Sequence, residues 1–85
     1  MTAKEMFEEL GYEYKFINNT KEQCEDVIVY SHKNQPVIIQ FNLWSKIVVY
    51  QIKNTMKDYD KIAIFMTKEL IKAINKQVEE LGWND

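Results

Sequence analysis

The chain has 85 residues, with 11 Lys and no Arg, 13 acidic residues, one His, one Cys, one Pro and two Gly. That length holds one domain, residues 1–85, and a hydrophobic fraction of 46% with 13% aromatics excludes a disordered chain. No apolar run approaches the length of a membrane span, Met1-Thr2-Ala3-Lys4-Glu5 lacks the apolar core of a signal peptide, and one Cys makes no disulfide within the chain, so the expected setting is the cytoplasm.

The net charge of −2 conceals an uneven spread. Residues 1–26 carry three Lys against seven acids, residues 27–78 eight Lys against three acids, and residues 79–85 three acids and no base. In chain order, the first element reads as a helix. Thr2 and Glu5 form a T-x-x-E capping box, and Ala3, Met6, Phe7 and Leu10 share one face. Gly11 supplies the left-handed stop, with Tyr12 placed to fold back onto Phe7. The period then changes to two. Tyr12, Tyr14 and Phe16 alternate with Glu13 and Lys15 as a half-buried strand. Asn18-Asn19-Thr20-Lys21 is a loop, and Val27-Ile28-Val29-Tyr30 a second strand. After the break at His32 to Pro36, Val37, Ile39, Phe41 and Leu43 form one face of a third strand. Val48, Tyr50 and Ile52 mark a fourth. Asn54 to Asp60 is polar and irregular, and Ile62-Ala63-Ile64-Phe65-Met66 is a fifth strand or an extended lead into the last helix. In that helix Thr67 is the N-cap, Leu70, Ile71, Ile74, Val78 and Leu81 form the apolar stripe, and Gly82 is the stop.

Short connections favour antiparallel neighbours, and each helix has a single apolar stripe. The expected fold is therefore α+β: a two-layer sandwich, α-β-β-β-β(-β)-α, in which an antiparallel meander sheet of four to five strands carries both helices on one face. The remaining face, with Ile17, Val27, Val29, Ile38, Ile47, Val49, Ala63 and Phe65, is too apolar for a fully solvated sheet. Edge curvature with loop cover explains it, or else a protein partner or a second copy of the chain. Trp44, in the tight connection Asn42-Leu43-Trp44-Ser45, is either a binding anchor or a cover for the sheet edge.

Site chemistry is sparse. His32 stands alone beside Ser31, and Cys24 is followed by Glu25 and Asp26, whose charge disfavours a thiolate. One Cys and one His make no zinc tetrad, Asp58-Tyr59-Asp60 lacks the other ligands of a calcium loop, and both glycines are used as helix stops rather than in a phosphate loop. No catalytic residue, metal or cofactor is expected. Lys68, Lys72 and Lys76 form a row at i, i+4, i+8 that could meet phosphates, with Lys61 near in sequence. The missing Arg, the acidic balance, and Glu69, Glu79 and Glu80 beside the row favour a solvated helix face. Glu8-Glu9 and Glu79-Glu80 sit in last helical turns, where the macrodipole disfavours them, so they mark an acidic surface or serve solubility.

The two ends, Thr2-Ala3-Lys4-Glu5-Met6-Phe7-Glu8-Glu9-Leu10-Gly11-Tyr12 and Ala73-Ile74-Asn75-Lys76-Gln77-Val78-Glu79-Glu80-Leu81-Gly82-Trp83, resemble small phage and prophage proteins of low-GC Gram-positive bacteria. In that group a "TAxEMFEELGY"-like helix and an "AINKQxxELGW"-like helix bracket a variable strand-rich middle. The resemblance implies a phage-encoded protein in the host cytoplasm and brings no catalytic residues. The expectation is a non-enzymatic accessory protein acting through protein–protein contacts on a host or defence component. Its expected contact residues are Trp44, Ile38, Val49 and Phe65. The alternative is a nucleic-acid-associated protein using Lys68, Lys72 and Lys76.

Overall fold

A computed structural model of the chain describes residues 1–18, 25–52 and 66–83. Its elements run α1 (Ala3–Glu9), β1 (Tyr12–Ile17), β2 (Val27–His32), β3 (Val37–Asn42), β4 (Ile47–Ile52) and α2 (Lys68–Glu80). The four strands pair antiparallel in chain order. The α+β meander with a helix at each end is thus as expected. The candidate fifth strand falls mainly on Ile62 to Phe65, outside the described residues.

The capping box forms as the spacing requires: Thr2 Oγ1 accepts from the Glu5 N–H at 3.2 Å, and the Glu5 carboxylate accepts from the Thr2 N–H at 2.8 Å. These bonds hold the Glu5 carboxyl below its usual range. At the far end of the chain, Thr67 Oγ1 accepts from the Leu70 N–H. Gly82 and Trp83 then donate to the carbonyls of Glu79 and Val78, a Schellman ending.

Both helices lie on one sheet face, where the core is aromatic. Phe7 of α1 stacks on Tyr30 of β2 with ring centroids 3.8 Å apart and meets Tyr12 and Phe41 edge to face. Leu70 and Ala73 of α2 complete the buried cluster with Ile28, Val37 and Ile39, and Trp83 packs against Phe41. Each large side chain buried here contributes roughly 1.5–3 kcal/mol.

The buried stripe of α2 differs from the expected one. Leu70, Ala73 and Gln77 are its most buried residues, whereas Ile71 is 43% exposed. The 100° step explains this: Leu70, Gln77 and Leu81 point in nearly one direction, and Ile71 lies at the margin. Gln77 is admitted because its side-chain oxygen accepts a buried hydrogen bond from the Tyr30 hydroxyl. Burial pushes the Tyr30 hydroxyl well above the ordinary tyrosine range.

Cover of the helix face is incomplete for a geometric reason. A seven-residue helix is about 10 Å long, and a six-residue strand about 20 Å. Over β1, α1 therefore shelters Tyr12 but not Phe16, which is 45% exposed.

Candidate functional site

The connection between β3 and β4 is a four-residue turn, Leu43 to Lys46, closed by a hydrogen bond from Lys46 N–H to the Asn42 carbonyl. With no glycine to supply, Lys46 itself takes the left-handed conformation, φ 59°. Glu25 pins the tip. Its carboxylate accepts from the backbone N–H groups of Trp44 and Ser45, each at 2.9 Å, and from the Ser45 hydroxyl. These donors hold the Glu25 carboxyl below its usual range. The neighbouring Leu43 N–H donates to the Asp26 carbonyl. Trp44 is 59% exposed on this backbone. Ile47, the first residue of β4, is exposed beside it.

Strand register shows how the sheet face away from the helices is composed. Three cross-strand rows run over it: Ile17, Val27, Asn42, Ile47; then Lys15, Val29, Gln40, Val49; then Glu13, Ser31, Ile38, Gln51. The face is therefore graded, apolar at the Trp44 end and polar at the other. Ile38 and Val49 are half-buried, and between them Gln40 donates its side-chain amide to Asn42 at 2.7 Å. Phe65, the fourth expected contact residue, lies outside the described residues. The expected apolar face is interrupted by Gln40 in the middle row and by Glu13 and Lys15 at its β1 margin, and Val27 in the most apolar row is itself buried.

Lys68 and Lys72 are exposed on the solvent side of α2, and Lys76 pairs with Glu79 at 3.5 Å. Lys72 also lines a shallow groove of about 160 Å³ between the helices, with Glu9, Glu69, Met1, Met6 and Leu10. The row is thus interleaved with acids, while Lys61 lies outside the described residues. Glu80 has a task that its own helix could not reveal: its carboxylate accepts from the Ala3 N–H at 2.8 Å. It stabilises the positive end of α1, a long-range cap between the two ends of the chain.

His32 is the last residue of β2. Its Nδ1 accepts from the backbone N–H groups of Asn34 (3.0 Å) and Gln35 (3.1 Å), so the neutral ring carries its proton on Nε2. The ring also packs edge-on against Tyr12. In this structure the ring supports the turn that follows β2. Cys24 and Asp58-Tyr59-Asp60 lie outside the described residues. Among the described residues no group of three or more His, Cys, Asp or Glu could hold a metal ion, and no helix is long and apolar enough to cross a membrane.

Three features escaped the sequence reading. Glu25 and Glu80 act on partners 19 to 77 positions away, and no local spacing announces such contacts. Gln77 was legible in principle, since it lies seven residues after Leu70 on the same helix face. No family model, curated protein or solved structure matches the chain.

Proposed function

We propose that the protein is a non-enzymatic phage or prophage accessory protein that works by gripping another protein. The carrying observation is Trp44: a large aromatic side chain left exposed on a turn whose backbone is held by Glu25 and by the Lys46–Asn42 bond. An exposed anchor on an immobilised backbone loses little conformational entropy on binding, and Trp is the residue type most enriched at binding hot spots. Ile47, 49% exposed, extends the anchor onto the sheet face away from the helices, with the half-buried Val49 and Ile38 behind it and Val27 of the same row buried. The phage setting, in the host cytoplasm and with a host or defence component as target, rests on the resemblance of the two end segments. The solvent-side lysines are a weaker basis for function, since Lys76 is already paired with Glu79.

The test is affinity capture from infected or lysogenic Gram-positive cells with the wild-type chain and with Trp44→Ala. A partner retained by the first and lost by the second is expected. Identical capture by both would sink the Trp44 reading. A gel shift on single- and double-stranded nucleic acid at low ionic strength separates the classes, and retardation that Lys68→Gln/Lys72→Gln abolishes would favour the nucleic-acid reading.

A further inference from the structure

We infer that the outer edge of β1 pairs with the β1 of a second copy of the chain, giving a two-fold dimer in which the described strands of both copies form one continuous sheet. Among the described residues β1 is first in the strand order, and Glu13, Tyr14, Lys15 and Phe16 are all exposed, so both faces of the strand reach solvent. The bond from Lys33 N–H to the Gly11 carbonyl sets the phase of the β1–β2 ladder. Odd residues of β1 bond to β2, and even residues (Tyr12, Tyr14, Phe16) direct N–H and C=O outward. Those groups are the template an added strand requires.

The register of the dimer follows from charge. In an isologous antiparallel pair that keeps the faces aligned, one residue must stand opposite its own copy. Centring on Glu13 opposes two carboxylates, and centring on Lys15 opposes two ammoniums. Centring on Tyr14 places Glu13 opposite the second copy's Lys15, and Lys15 opposite its Glu13. Both charge pairs then become attractive at once. On the helix face the same register sets Tyr14 beside its copy and Phe16 beside the second copy's Tyr12. There a hollow of about 310 Å³, lined by Lys4, Glu8, Tyr12, Glu13, Tyr14 and Lys33, lies open. Each α1 is too short to cover its own Phe16, and the two-fold brings the other copy's α1 to that position instead.

Sedimentation velocity on the full chain, over a concentration series at low salt, tests the dimer. The wild type is expected to dimerise. Glu13→Lys and Lys15→Glu each turn two attractions into two repulsions, weakening the dimer by about tenfold or more. The double variant Glu13→Lys/Lys15→Glu restores it. Tyr14→Pro removes an outward N–H that β2 does not use, so it abolishes the dimer while circular dichroism retains the fold. A wild type that stays monomeric at every concentration overturns the inference. So does a dimer indifferent to both charge reversals, or a double variant no tighter than the single ones. Trp44→Ala is expected to leave the dimer unchanged, which separates this edge from the proposed partner site.

Discussion

Gly11 and Gly82 end their helices in nearly the same phrase, Glu-Glu-Leu-Gly-aromatic, and both have positive φ, +95° and +74°. A change to Ala at either forces a side chain into the left-handed region, at about 1–2 kcal/mol. Around Gly82 nothing lies within 4 Å of the added Cβ, so the backbone cost stands alone. At Gly11 the Cβ stands 2.9 Å from His32 Nε2 and 3.3 Å from Cε1. The ring cannot yield freely, because Nδ1 is held by the Asn34 and Gln35 N–H groups and the ring packs on Tyr12. Loosening two such bonds adds about 1–2 kcal/mol. Gly11→Ala should therefore cost about 2–4 kcal/mol and Gly82→Ala about 1–2 kcal/mol. Urea unfolding with an unchanged m value measures both. In a His32→Ala background the loss at Gly11 should shrink to that at Gly82, a coupling of about 1–2 kcal/mol. Equal losses at the two glycines in the wild-type background would refute the argument from the ring.

Other consequences follow from the turn, the long-range cap and the buried hydroxyl. Lys46→Gly relieves the left-handed strain at φ 59° and should stabilise by about 0.5–1 kcal/mol, read as a rise of several degrees in Tm. Glu80→Gln weakens the cap on Ala3 and should cost about 0.5–1.5 kcal/mol. Glu79→Gln, which loses only the surface pair with Lys76, should stay within about 0.5 kcal/mol in the same denaturation experiment. Tyr30 is held neutral in the folded protein above the ordinary value of 10.0, so above that pH the unfolded chain releases a proton the folded one keeps. Stability should then fall as pH rises past 10.0, by up to about 1.4 kcal/mol per pH unit from this group. Tyr30→Phe should flatten that slope in a pH series of urea melts, and an unchanged slope would contradict the burial argument.

The same glycine phrase shows where local reading stops. Caps, stops and strand alternation were legible because each depends on contacts within about four residues: Thr2 with Glu5, Thr67 with Leu70, Tyr14 and Phe16 against Glu13 and Lys15. The division of the sheet into two faces was legible too, since the period of two assigns every strand residue to a side. Register then graded the open face, because a pairing between strands decides which polar residue stands beside which apolar one. Hydrophobicity makes the α2 stripe too wide at Ile71 and leaves out Ala73 and Gln77, since it does not reveal a small residue under close packing or a buried amide matched to a hydroxyl on β2. Trp44 falls in a turn by sequence alone, but the hold on that turn's backbone comes from Glu25, whose partners lie 19 and 20 residues away.

By itself the sequence determined the elements, their order and the side each strand residue faces, because helix and strand periodicities and helix caps are short-range physics. Tertiary structure alone decided what the leftover polar groups do. Glu80 caps the other helix, Gln77 satisfies Tyr30, His32 supports a turn and crowds any Cβ at position 11, and Glu25 holds the backbone of the Trp44 turn. Apart from the turn that His32 supports, whose partners are two and three residues away, each of these is a hydrogen bond or close approach between segments distant in the chain, and only the folded backbone brings their atoms within 3 Å or so of one another.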